Sequence, residues 1–243
     1  MVRPMNRRRT LGLLLLVSAL LLLPRLLGAS YPPKYLADIV PEVTALLSPP
    51  PTAGSPEAAA DLATTRQASV GRLPEQVAAA QRENTLSPFR FAVVLGPWFQ
   101  AENLPMLATL FGRLESDVYV ATSAIKKLYQ RPRPYAVDPT IQPLEPENTF
   151  SYPSGHSTRA TAFAMVLAEL FPARRTELIQ FAQTIGWNRV IGGVHYHTDI
   201  VAGRVLGQAV VRELLKNKEF QQDLAAGKAE IAAVAPAQAM LRP

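Results

Sequence analysis

The chain has 243 residues, enough for one domain of ordinary size with appendages, and carries 25 basic against 19 acidic side chains. It contains no cysteine, which excludes disulfides, thiolate metal sites, cysteine nucleophiles and a lipid-modified N-terminal cysteine. A net charge of +6 would point to nucleic acid or an anionic surface, but five arginines and no acid fall within residues 1–29, leaving 20 basic residues against 19.

Those first 29 residues differ in character from the rest. Arg3, Arg7, Arg8 and Arg9 form a basic front, the apolar run Leu11 to Leu23 follows, and Gly28-Ala29-Ser30 supplies small residues. That order reads as a secretory signal. The run is shorter than the roughly 20 residues that a membrane span requires. Arg25 and Leu27 crowd the expected cleavage region, so an uncleaved N-terminal anchor is the competing reading. Residues 30–73 are expected to be an irregular, partly helical lead-in, since 31–56 alone hold seven prolines.

From residue 74 to 233 the pattern is helical. Leu107, Leu110, Phe111, Leu114, Val118, Ala121, Ile125 and Leu128 recur at steps of three and four and predict one long amphipathic helix. Residues 157–171 are apolar on nearly every side, which predicts a central buried helix ending at Pro172. Leu178, Phe181, Ala182 and Ile185 mark another helix, residues 198–215 a further one, and Phe220 to Ala233 a polar closing one, before a short tail (234–243). Strand-type alternation is absent, and the expected fold is an all-α helical bundle. Between Gln130 and Ser154 lies a connection with six prolines. Irregular connections of that length usually serve a site.

Three short motifs sit at the predicted helix ends. The first is Lys126, six residues, then Arg133-Pro134; the neighbouring Arg131-Pro132 has Ala124 at the equivalent place and is out of register. The second is Pro153-Ser154-Gly155-His156. Ser154 reads as an N-cap, which leaves the N–H groups of Gly155 and His156 as free donors at the positive end of a helix, an anion site. The third is Arg189, five residues, His195, three residues, Asp199. On one helix, His195 and Asp199 would be i,i+4 neighbours, the carboxylate fixing the tautomer and leaving a nucleophilic nitrogen. Lys126, Arg133 and Arg189 gather three positive charges, which match one phosphate group. Each motif alone has a plain structural explanation; their conjunction, with two of only three histidines inside them, does not.

Taken together these residues resemble the superfamily of type 2 phosphatidic acid phosphatases, bacterial class A acid phosphatases and vanadium haloperoxidases. Over roughly residues 85–230 the chain is most similar to the secreted class A non-specific acid phosphatases, through Ser151-Tyr152-Pro153-Ser154-Gly155-His156-Ser157 and Arg189 to His195. The resemblance implies that His195 attacks phosphorus, that Asp199 orients it, and that His156 protonates the leaving oxygen and then activates water. It implies that Lys126, Arg133, Ser154, the Gly155 backbone and Arg189 hold the phosphate oxygens, with no metal and no cofactor. The implied substrates are small phosphomonoesters. A homo-oligomer is expected, nucleic-acid binding is not, and membrane contact is expected only through an uncleaved anchor. Asn188 departs from the family's usual serine, and His197 stands where other side chains are usual; it reads as a spare, partly exposed histidine. Glu115, three helical turns before Lys126, either lines the pocket or is solvated. The competing functions are a vanadium haloperoxidase, a membrane-anchored lipid-phosphate phosphatase, and a phosphate-binding protein with a decayed site.

Overall fold

A computed structural model describes residues 34–36 and 40–235, so the expected export segment and nearly all of the tail lie outside the described residues. Regular structure among the described residues is entirely helical. In chain order it comprises α1 (Val40–Ala45), α2 (Pro56–Val70), α3 (Pro74–Arg82), α4 (Ala92–Leu95), α5 (Pro105–Tyr129), α6 (Pro134–Val137), α7 (Gly155–Leu170), α8 (Arg175–Ile191), α9 (His197–Leu214) and α10 (Lys218–Val234). The all-α expectation holds, and the long predicted helices appear as α5 and α7 to α10.

Helix α7 is the axis of the bundle. Twelve of its 16 residues are buried, so it has no solvent face of its own and packs chiefly between α8 and α9. The approach of α9 is unusually close because Gly203 and Gly207 face α7. A Cβ on Gly203 would lie 2.7 Å from the Ser154 carbonyl oxygen, and one on Gly207 2.6 Å from that of Thr158. Two glycines one turn apart thus let backbone meet backbone, which fixes the start of α9 against the start of α7.

Helix α5 buries the predicted stripe from Leu107 to Ile125. Leu128 departs from it, being 62 % exposed, because the last turn rises out of the core. Gln130 then adopts a left-handed conformation (φ 46°), closing the helix and turning the chain inward at Arg131. The rest of α5 is tied to both ends of the described chain. Asp117 accepts from the backbone N–H groups of Lys34, Tyr35 and Leu36 at 3.2–3.3 Å. Glu230 of α10 accepts from the N–H groups of Met106 and Leu107, each at 2.9 Å, at the start of α5. Those donors lack partners within the helix, and a carboxylate there also meets the positive end of the dipole.

Helix α2 lies within the segment expected to be a lead-in, yet it packs on α8 and α9. Its buried residues are Asp61, Thr65 and Ser69, a polar stripe at four-residue spacing. A helix buries such a stripe only where polar partners await it.

Candidate active site

The C-terminal ends of α5 and α8 and the N-terminal ends of α7 and α9 meet at one pole of the bundle, with the Pro-rich loop laid across them. They enclose a cavity of about 240 Å³ whose wall includes Lys126, Arg133, Gly155, His156, Arg159 and His195. Of the residues singled out in the sequence, Lys126, Arg133, Gly155, His156 and His195 line it directly, and so does Glu115. Glu115 pairs with Arg159 at 2.5 Å rather than standing in solvent. Ser154, Arg189 and Asp199 lie behind the wall. His197 is exposed, facing Trp187 and a different hollow against Pro49.

His195 is brought to Asp199 differently from the sequence expectation. Helix α9 begins at His197, so His195 precedes it and the pair does not share a helix. Asp199 instead occupies the third position of α9 and reaches back, accepting from the Tyr196 N–H at 3.0 Å and facing His195 Nδ1 at 3.2 Å. The same capping geometry that starts the helix therefore orients the imidazole. Ser151 donates its hydroxyl to the same carboxylate oxygen.

The other oxygen of Asp199 accepts from Arg131 Nη1 at 2.7 Å, and Arg131 Nη2 donates to Asp61 at 2.8 Å. All three groups are buried, and the Arg131 guanidinium lies 3.7 Å over the Tyr196 ring. Asp61 also accepts from the Thr198 N–H, and Thr65 donates to the His195 carbonyl. This chain Asp61–Arg131–Asp199–His195 explains the polar stripe of α2. It was not apparent from the sequence, where Arg131 fell out of the motif register and Asp61 lay in the lead-in. The doubled Arg-Pro was the only sign available.

Arg133 is held by the carbonyls of Thr149 and Val194, both at 2.8 Å, and its Nη1 lies 3.0 Å from His195 Nε2. Arg189 donates to Asn84 at 3.1 Å and to Glu147 at 3.0 Å, while its Nε is buried without a partner. Ser154 caps α7, its oxygen accepting from the Ser157 N–H at 3.3 Å, as predicted. A Cβ on Gly155 would lie 3.8 Å from Thr122 Cγ2, an ordinary contact, and Gly155 itself lines the cavity.

The electrostatics follow from burial among cations. Burial, and then the charges of Arg133, Lys126 and Arg189, hold His195 well below the usual imidazole range. Burial, and then Arg189 and Arg159, do the same to His156, whose Nε2 has no partner. Lys126 is lowered to about 7 by burial and next by Arg133. Its ammonium donates to the carbonyls of Phe150 and Ser151.

The chain that carries this arrangement is similar to known proteins. The sequence profile of the PAP2 superfamily matches residues 106–222. An acid phosphatase of Zymomonas mobilis is 32 % identical over 198 residues, covering 76 % of this chain and 74 % of that protein. The chain belongs to the PAP2 superfamily. A further relative, a non-specific acid phosphatase of Salmonella typhimurium, is 40 % identical over 151 residues, which are 58 % of this chain and 59 % of that protein. Among solved structures, a transmembrane PAP2-type phosphatidylglycerolphosphate phosphatase of Bacillus subtilis superposes with a TM-score of 0.51 at 22 % identity. That match covers 74 % of this chain and 90 % of the other and speaks for the PAP2 fold. Among the described residues here, no helix is long and apolar enough to cross a membrane.

Proposed function

We propose that this PAP2 chain is an exported acid phosphatase that hydrolyses small phosphomonoesters through a phosphohistidine on His195, without a metal ion. The observation that carries the reading is the pair of contacts on that ring. Nδ1 faces the Asp199 carboxylate, and Nε2 faces a guanidinium nitrogen. A guanidinium can only donate, so Nε2 is the unprotonated nitrogen and Nδ1 carries the hydrogen given to Asp199. A lone pair stands at the cavity wall on a ring that burial keeps neutral.

The reaction then runs in two halves. Nε2 attacks phosphorus with its lone pair as the phosphorus–oxygen ester bond breaks, and His156 gives its proton to the departing oxygen. His156, now neutral, takes a proton from water, whose oxygen attacks phosphorus and releases Nε2 and inorganic phosphate. Lys126, Arg133, Arg189, the N–H groups opening α7 and the Ser154 hydroxyl meet the charge on the phosphoryl oxygens. Arg131 and Asp61 position the nucleophile from behind through Asp199. Two supports come from outside this chemistry: the names of the relatives and the export-type segment at residues 1–29.

The test is turnover of p-nitrophenyl phosphate with acid-labile phosphoenzyme trapped by quenching. His195→Ala is expected to lose both, with the rate down at least about a thousandfold, and chelator is expected to leave the wild type unaffected. Near-normal turnover by His195→Ala, or chelator-abolished activity restored by a divalent metal, overturns the mechanism.

A further inference from the structure

The Pro-rich loop carries a carboxylate into the place where an anionic substrate belongs. Glu147 Oε1 accepts from Arg189 Nη2 at 3.0 Å, Oε2 faces Arg133 Nη2 at 3.4 Å, and the residue lines the same cavity as His195 and His156. We propose that Glu147 is an internal occupant of the phosphate seat, a displaceable carboxylate that substrate and product phosphate expel from between Arg133 and Arg189. The proposal rests on the reading above that this pocket takes a phosphate.

The two arginines do not depend on Glu147 for their positions. Thr149 and Val194 hold Arg133, and Asn84 holds Arg189. The glutamate side chain also has a way out. It is 27 % exposed, whereas those of Arg133 and Arg189 are 5 % and 3 % exposed. Its backbone, by contrast, is clamped. The Tyr135 hydroxyl donates to the Glu147 carbonyl at 2.7 Å and accepts from its N–H at 3.0 Å. The carboxylate therefore leaves by swinging about its own side-chain bonds, with the loop in place.

What displaces it must offer more than it does. A carboxylate brings two oxygens and one negative charge, and it leaves Arg189 Nε and His156 Nε2 buried without partners. A phosphomonoester dianion brings three oxygens and two charges to the same donors, and charge-assisted bonds to arginine favour it. A simple monoanion such as acetate only matches what is already there. Glu147 thus sets a threshold: dianions enter, while monocarboxylates remain outside.

Isothermal titration of inorganic phosphate and of acetate into the wild type, Glu147→Gln and Glu147→Ala tests this, with p-nitrophenyl phosphate kinetics alongside. In both variants phosphate is expected to bind about five- to tenfold more tightly, since a competing charge has left two arginines. KM falls with it, and acetate becomes a measurable competitor where the wild type ignores it. Thermal midpoints are recorded so that a folding loss in one variant is recognised and the other decides. Equal or weaker phosphate binding by the folded variants overturns the proposal and makes Glu147 a bracket that aligns the arginines. A wild type that neither binds phosphate nor hydrolyses the ester overturns the phosphatase reading and this proposal with it.

Discussion

At the scale of single residues, the three predicted phosphate cations are not equivalent. The guanidinium groups of Arg133 and Arg189 keep their charge at any working pH, whereas Lys126 is a compact ammonium that can give its proton away. Burial and the neighbouring Arg133 bring it to about 7. In the empty pocket its charge therefore fades as pH rises through neutrality, and phosphate affinity should fade with it. Lys126→Arg should move the alkaline limb of the kcat/KM profile upward by roughly one pH unit or more, even where the bulkier fork lowers kcat. An unmoved limb would assign the alkaline loss to another group. The two histidines work the other way. Both are held neutral in the empty pocket by burial and cations, which suits His195 as nucleophile but leaves His156 without the proton it has to donate. A bound phosphate dianion offsets the cations and raises His156 again. Acidic solution helps that step, which places the expected optimum on the acid side of neutrality.

At the scale of elements, the site depends on how closely α9 lies on α7. Gly207→Ala would drive a methyl group to 2.6 Å from the Thr158 carbonyl and 2.9 Å from Thr161 Cβ, both on a helix that cannot retreat. We expect a loss of about 1–3 kcal/mol of stability, read as a drop in thermal midpoint. Gly227→Ala on α10 is the control. Its new methyl meets a side-chain terminus, Leu107 Cδ1, at 3.1 Å rather than backbone, and gains helix propensity, so a smaller loss is expected. Equal losses in the two variants would show that backbone contact is not what sets the cost.

These elements also show where sequence reasoning reaches and where it stops. The α5 stripe, the all-round burial of α7 and the cap at Ser154 were legible because each is a local pattern of period or position. Lys126, Arg133, His156 and His195 were legible because short motifs fix them near helix ends. Asp61, Arg131, Asn84 and Glu147 were not. Asp61 meets Arg131 across 70 residues and Asn84 meets Arg189 across 105; no periodicity encodes such a meeting. The helix expected over 198–215 begins at His197, but the four-residue spacing of His195 and Asp199 mimics one helical turn, while the carboxylate in fact reaches back over the helix start.

At the scale of the whole molecule, charge is distributed so that the pocket is positive while the body is nearly neutral. Five arginines sit in residues 1–29, and the remaining chain carries 20 basic and 19 acidic residues. If that segment is an export signal, the exported protein should begin close to residue 30. Intact mass measurement of the exported fraction checks this, and a mass matching all 243 residues would make the segment a retained anchor. Among the described residues, Asp117 and Glu230 fasten both ends of the body onto α5. With so little net charge, long-range attraction of phosphate is weak, and capture falls to the local field of Lys126, Arg133 and Arg189. The Tyr135 clamp on the backbone of Glu147 then matters for time as well as for affinity. A side-chain rotation takes picoseconds to nanoseconds, whereas loops and lids move in nanoseconds to milliseconds or longer. A seat emptied by rotation alone waits only on the parting of two ion pairs, with no loop or lid movement. The glutamate therefore lowers occupancy without adding a slow step, and association remains as rapid as diffusion and the local charge allow.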